Sequence, residues 1–332
     1  MGQILSQPIT DKESVEGSSK RVMYAASSMQ GWRVQMEDAH TTIASYEQTN
    51  ASFFAVFDGH GGSAVAKYSS DNLYKKVFES TSFQRGRYRE ALRQSYLEID
   101  EDLRKDPRYA DDTSGCTAVA ALISKNDVLF VSNAGDSRAV ISTSNGRAIP
   151  LSQDHKPSHP KEEERIKNAG GHVEYGRVNG TLALSRALGD FDFKANTKLP
   201  PEKQAVSAEP DIIEHELTDN DEFVVLACDG IWDCMTNQEV VDFIRLRLTE
   251  EKTLKTICEE LMDNCLAETA GMTGLGCDNM TVVIVAFLRK KSASEWYSWM
   301  AKKEARNSNN TSIKSDNSEP ELKKPRVMDS SP

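Results

Sequence analysis

The chain reads as an α+β protein on three observations. Short runs rich in Val, Ile and Phe have the length and composition of buried strands. Other segments place apolar residues three and four positions apart, as a helix face does. The two kinds of element do not alternate regularly, so a doubly wound parallel sheet is not indicated.

In chain order, residues 1–20 are polar with little periodicity, and a dense body follows over 21–290. Phe53–Phe57 (FFAVF), Val128–Val131 (VLFV), Phe223–Cys228 (FVVLAC) and Met280–Leu288 (MTVVIVAFL) are expected strands. A helix is expected after DGHGG at 58–62, carrying Val65, Tyr68 and Val77. Tyr88, Leu92, Tyr96, Ile99 and Leu103 share one face of a second helix. Val240, Ile244 and Leu248 mark a third, and Leu254, Ile257, Leu261 and Cys265 a fourth. Residues 155–205 are polar and broken by Pro157, Pro160, Gly170, Gly171, Pro200 and Pro201, which suggests a flap-like excursion from the sheet. Trp296, Trp299, Met300 and Lys303 have the spacing of a short docking helix over 291–302. Residues 303–332 hold too little apolar surface to offset ordering entropy and are expected to be a disordered polar tail.

The 332 residues carry 40 Lys+Arg against 51 Asp+Glu, a net charge of -11. Such a surface repels polyphosphate backbones, which argues against nucleic-acid binding. No apolar run approaches the roughly 18–20 residues of a membrane span, and no secretory leader is evident. The six cysteines form no CxxC pair, a pattern that favours reduced thiols and a cytoplasmic and nuclear location.

The strongest chemical signal is where the acids fall. Asp58 follows FFAVF directly, and Asp229 follows FVVLAC directly. Asp136 lies a short turn beyond VLFV, and Asp278 precedes MTVVIVAFL by one residue. If the strands run antiparallel, the start of one lies beside the ends of its neighbours, so all four aspartates converge at one edge. Converging carboxylates repel one another unless a cation sits among them, and an all-oxygen set suits Mg²⁺ or Mn²⁺. Any one of these aspartates could instead be a turn former after a strand, but four together point to a metal. Glu37 and Asp38 add an acidic pair. Glycine lets the backbone approach an ion closely, so the Gly59 carbonyl is a candidate ligand. His60 is compatible with a proton donor or a structural hydrogen-bonder, and Arg33 with an oxyanion clamp or a solvated surface arginine. GxxxxGK[ST], HExxH and GxSxG are absent, and no Cys-based nucleophile motif is present, which leaves metal-activated water as the nucleophile.

Taken in order, RVQMED (33–38), FFAVFDGHGG (53–62), SGCTA (114–118) and NAGDSR (133–138) resemble motifs of the protein phosphatase 2C family. DHKP (154–157), RVNGTLALSRALGD (177–190), ACDGIWD (227–233) and DNMTV (278–282) continue the resemblance over about residues 22–288. It implies a four-layer α-β-β-α sandwich with two central, mainly antiparallel sheets flanked by helices. It further implies a Mg²⁺- or Mn²⁺-dependent protein serine/threonine phosphatase with two ions per active site and a third, weaker one. By motif, Asp58 would bridge two ions, with Glu37 and the Gly59 carbonyl on one and Asp229 and Asp278 on the other. Asp136, with Asp229, resembles the third site, and Asp38 an outer-shell position. Arg33 would bind substrate phosphate, His60 would be the general acid, and Arg177 would approach substrate from the flap. Implied partners are proteins phosphorylated on Ser or Thr, among them stress-activated kinases, met by a monomer. Two other readings are a non-catalytic phosphoprotein-binding module and a metal-dependent hydrolase of small phosphate esters.

Met1–Ser6 fits the M-G-x-x-x-[ST] pattern, and Gly2 is either N-myristoylated or unmodified. One acyl chain would give only weak, reversible membrane contact. Lys323–Arg326 (KKPR) reads as a solvated charge run or a short nuclear import signal.

Overall fold

The computed structural model of the protein describes residues 4–46, 49–271 and 273–303. The first strands are β1 (Ile4–Ser18), β2 (Val22–Arg33), β3 (Ala39–Tyr46), β4 (Ala51–Phe57) and the two-residue β5 (Gly59–His60). Helices α1 (Ala64–Glu79), α2 (Thr81–Gln84) and α3 (Tyr88–Lys105) follow. Next come β6 (Gly115–Cys116), β7 (Ala118–Ile123), β8 (Val128–Ala134), β9 (Arg138–Thr143) and β10 (Ala148–Pro150). The excursion holds α4 (Pro160–Asn168), β11 (Val173–Glu174), β12 (Arg177–Val178) and β13 (Leu188–Gly189). The chain then returns through β14 (Asp211–Glu216), β15 (Asp221–Ala227), α5 (Asp229–Trp232), α6 (Asn237–Thr249), α7 (Leu254–Cys265) and β16 (Met280–Phe287). Residues 293–303 form a last helix.

Two sheets make the centre. One has the order β1-β2-β16-β15-β9-β10 and the other β14-β8-β7-β4-β3, with antiparallel ladders throughout. Side-chain alternation explains why the strands read as unbroken apolar runs. Along β4, Phe54 and Val56 pack toward the other sheet, whereas Phe53, Ala55 and Phe57 pack under α1 and α3. Along β16, Val283 and Val285 face the inter-sheet layer, while Val282 and Ile284 meet α6 and α7. Both faces are covered, so neither alternates with polar residues. The result is the four-layer α-β-β-α sandwich.

All four expected strands and all four helix faces are present. Residues 4–18 depart from the expectation of a segment apart from the body. They are not a separate polar segment but the edge strand β1, paired with β2 from Ile4↔Arg33 to Ser18↔Met23. One face of an edge strand meets water, so its residues stay polar and give no apolar run. The expected excursion has structure of its own. It carries α4, the β11–β12 hairpin and a small core of Ile166, Val178, Ala187, Ala205 and Val206. The last helix docks through Trp296 and Met300, both fully buried, and reaches residue 303. No helix among the described residues is long and apolar enough to cross a membrane. The acylation pattern at Gly2, the KKPR run and, past Lys303, the tail expected over 303–332 lie outside the described residues.

Candidate metal centre and active site

The antiparallel order brings one end of several strands together. β4 leads into Asp58, β8 into Asp136 and β15 into Asp229, while Asp278 and Asn279 lead into β16. β2 ends at Arg33 and hands the chain to Glu37 and Asp38. One carboxylate oxygen from each of Asp58, Asp136 and Asp229 lies within 4.8 Å of the others. Oxygens of Asp38 and Asp58 and the Cys228 sulfur form a second group of the same span.

These acids are poorly compensated by the protein. Burial, then repulsion from Asp229, Asp38, Asp136 and Asp278, pushes the Asp58 carboxyl well above its ordinary range. Burial and the charges of Asp136, Asp278 and Asp233 do the same to Asp229. Asp38 is pushed up to about 7, chiefly by burial, against a hydrogen bond that its Oδ2 accepts from the Thr281 hydroxyl at 2.7 Å. Its Oδ1 is buried without a hydrogen-bond partner among the described residues. An orphaned buried carboxylate oxygen beside acids that resist ionising is what a cation-binding site leaves when only the protein is considered. Cys228 does not change the donor character. Its pKa is raised by burial and neighbouring acids, and the thiol donates to the Asn279 carbonyl at 3.5 Å. The remaining donors are oxygens, which suits a hard divalent cation.

Close backbone packing supports the cluster. A Cβ at Gly59 would run into the Glu37 carbonyl oxygen, so only glycine lets the 58–60 turn lie against the 37–38 segment. Asn279 fastens that segment from the other side. Its Oδ1 accepts from the Glu37 N–H at 2.9 Å, and its Nδ2 donates to the Gln30 and Gln35 carbonyls at 2.8 and 3.0 Å.

Two cations already reach the acids. Arg33 donates from Nη2 to Asp278 Oδ2, and its other guanidinium nitrogens have no partner among the described residues. Lys156, on the DHKP segment, pairs with Asp136. His60 sits on a small sheet of order β13-β6-β5, and its Nε2 is 2.8 and 3.0 Å from the two Asp190 oxygens. Burial alone would lower the His60 pKa, but Asp190, with help from Asp136 and Glu37, holds it above the ordinary value. A Cβ at Gly115 would overlap both Asp190 and His60, so the central strand of this sheet must be bare at that point.

The structure thus brings together Arg33, Glu37, Asp38, Asp58, Gly59, His60, Asp136, Asp229 and Asp278. Arg177 stands apart. It is exposed on β12 and donates to the Thr181 carbonyl at 2.7 Å, with no contact to the acids among the described residues. Sequence reasoning gave no role to Asp190, Lys156, Asn279 or Asp233. Each lies inside a quoted motif, but only Asp233 had a readable signal, as the residue one helical turn after Asp229.

A sequence model of the family described as protein phosphatase 2C matches residues 22–273. Protein phosphatase 2C homolog 3 of Schizosaccharomyces pombe is 53% identical over 311 residues, covering 92% of this chain and 74% of its own. A probable protein phosphatase 2C of Caenorhabditis elegans is 55% identical over 293 residues, covering 88% of this chain and 82% of its own. Among solved structures, a phosphatase from a pathogenic strain of Toxoplasma gondii superposes with a TM-score of 0.73 at 28% identity. That match covers 83% of this chain and 96% of the other. The chain belongs to the protein phosphatase 2C family and is a metal-dependent protein serine/threonine phosphatase.

Proposed function

We propose that Mg²⁺ or Mn²⁺, two ions per active site, serves this phosphatase, and that Asp58, Glu37, the Gly59 carbonyl, Asp229 and Asp278 would hold the ions. Asp136 with Asp229 would take a third, weaker ion. The observation that carries this reading is the group of Asp58, Asp136 and Asp229, whose oxygens lie within 4.8 Å of one another with too little positive charge from the protein. When bound, the ions supply Lewis-acid polarisation of the phosphoryl oxygens and lower the pKa of the attacking water.

The remaining work falls to side chains. Arg33 can present its unpartnered nitrogens to two phosphate oxygens in the planar fork that suits a phosphoryl group. Asp38 braces the cluster from behind through Thr281. His60 gives a proton to the departing seryl or threonyl oxygen. Because Asp190 occupies Nε2, the proton leaves from Nδ1, which has no partner among the described residues. Asp190 thereby keeps the ring oriented and favours its protonated form. Arg177 would act only on the part of a phosphoprotein that lies over the flap.

Asp229→Asn is expected to abolish Mn²⁺-dependent hydrolysis of a phosphothreonine peptide, and wild-type-like turnover would overturn the ligand assignment. His60→Gln should slow alkyl phosphates by about 10²-fold while sparing activated aryl phosphates. Equal losses on both would remove the acid role.

The physiological substrates we propose are phosphothreonine-bearing proteins of stress-activated kinase pathways, met by a monomer in the cytoplasm and nucleus. An acylated Gly2 would add reversible membrane contact. Intact mass after co-expression with a myristoyltransferase tests that last point, and an unchanged mass refutes it.

A further inference from the structure

The end of the sandwich opposite the acids has the reverse electrostatics. There β2 begins and β16 finishes, paired at Val22↔Phe287, whereas the metal end pairs Met29↔Met280. At about 3.3 Å per residue, the length of β16 separates the two ends by roughly 25 Å. A cavity of about 780 Å³ opens at this far end, lined by Lys20, Arg21, Lys125, Arg289, Lys290 and Lys291. Among the described residues only Asp127 and Asp219 oppose them on its wall, in a chain whose net charge is -11.

Not all of these cations serve the fold. Arg21 pairs with Asp127 at 2.6 Å and donates to the Ser124 carbonyl at 2.7 Å. Arg289 donates from Nη2 to the Thr218 carbonyl and lies 4.0 Å from Asp221, yet its Nε is buried with no acceptor among the described residues. Lys20, Lys125 and Lys290 have no hydrogen-bond or ion-pair partner among the described residues. Lys291 lies only over the Trp299 ring, 4.7 Å from its centre. Three separate stretches of chain thus place uncompensated ammonium groups around one hollow.

The backbone adds an independent observation. Arg289 and Lys290 are consecutive and both left-handed, with φ of 48° and 66°. Glycine would take this turn without strain, and the chain instead carries two cations there. Strain retained at a concave, charged position is a mark of a binding site.

We propose that this cavity binds a compact polyphosphate anion of the inositol polyphosphate class. Several phosphates around a small ring match ammonium groups arriving from several directions, and the volume is that of a small-molecule pocket rather than a flat docking face. The same chemistry is offered by a soluble inositol phosphate and by a phosphoinositide headgroup. Binding here does not depend on the metal centre and leaves the catalytic mouth open.

The test is calorimetric titration of the full-length protein, with chelator present, using inositol hexakisphosphate as the probe. Chelation leaves the catalytic acids uncompensated, so they repel the probe. The variant carrying Lys20→Gln, Lys125→Gln and Lys290→Gln should bind about tenfold or more weakly, since three charge-assisted contacts are lost. A control carrying Lys67→Gln, Lys75→Gln and Lys105→Gln removes the same charge elsewhere and should bind as wild type. Both variants should keep wild-type metal-dependent hydrolysis of an aryl phosphate. Flotation with phosphatidylcholine vesicles containing phosphatidylinositol 4,5-bisphosphate distinguishes the source. Flotation that the soluble probe competes away assigns a lipid headgroup, and soluble binding without flotation assigns a free polyphosphate. No binding of either probe, or equal weakening in test and control variants, overturns the proposal.

Discussion

Two groups of carboxylates lie within one catalytic unit and answer to opposite electrostatics. At the open end of the sandwich, Asp58 and Asp229 are surrounded by other acids, and burial with repulsion drives their pKa up. Within the flap-like excursion, Glu162 on α4 is buried too, but Arg186 and Arg165 grip its two oxygens at 2.8 and 2.7 Å. Ser185 adds a hydrogen bond at 2.7 Å. Burial works against that charge, yet the arginines outweigh it and bring Glu162 down to about 2. Arg186 reaches on to Asp211, which His155 also contacts and whose pKa is likewise lowered. The contrast shows that burial alone does not set a carboxylate's purpose. An acid whose counter-charge is in the chain is stabilised as a charge, whereas an acid left without one favours its neutral form unless a cation supplies that charge.

The largest expected break in that contrast is at Asp229. In Asp229→Asn, turnover of a phosphothreonine peptide should fall by about 10³-fold or more, since the charge-stabilising ions are no longer held. The same variant should melt at a higher temperature than wild type in chelator, because one repelling charge is gone. A lower melting temperature in chelator would show that the cluster is structurally compensated after all. The reverse is expected within the excursion. Glu162→Gln leaves Arg165 and Arg186 facing each other and should cost about 3–5 kcal/mol in urea unfolding. A loss below 1 kcal/mol would mean that the ionic knot does not hold the flap.

Smaller effects sharpen the comparison. Gly115→Ala forces His60 and Asp190 apart and should lower turnover of alkyl phosphates by about 10-fold, with aryl phosphates nearly unaffected. Equal slowing of both would place the damage in the metal site instead. Acid and base should also act oppositely on the two clusters. Glu162 has a depressed pKa, so its contribution is complete above about 4.5 and fades as pH falls toward about 2. Asp38 has a raised pKa, so in chelator the folded state holds extra protons and loses stability as pH climbs from about 4 to about 7. Melting curves with chelator and with Mg²⁺ should therefore diverge over that upper range. Parallel curves would contradict the assignment of Asp38 to the cluster.

How much of this was legible follows from what kind of signal each feature leaves. The four apolar runs were readable because both faces of β4, β8, β15 and β16 are covered, which removes polar residues from them. β1 was not, because its outer face is wet and its long pairing with β2 is made by backbone groups that any residue supplies. The acids at strand ends were readable for their position beside those runs. Asp190 was not, because its role depends on β13 lying against β6, a pairing of residues more than seventy positions apart. Arg177 shows the converse, since its motif position says nothing of its distance from the acids, and its guanidinium is bonded to the Thr181 carbonyl four residues on.

The sequence by itself determined the α+β class, the acids at strand ends and their need for a cation, because apolar periodicity and charge are properties of local composition. Only the tertiary structure decided which acids share an ion-sized space and which are neutralised by arginine. It also decided that His60 leans on Asp190 and that the unpaired lysines gather at the far end. Those outcomes depend on distances across the sandwich, and an electrostatic effect is set by separation and burial rather than by residue type.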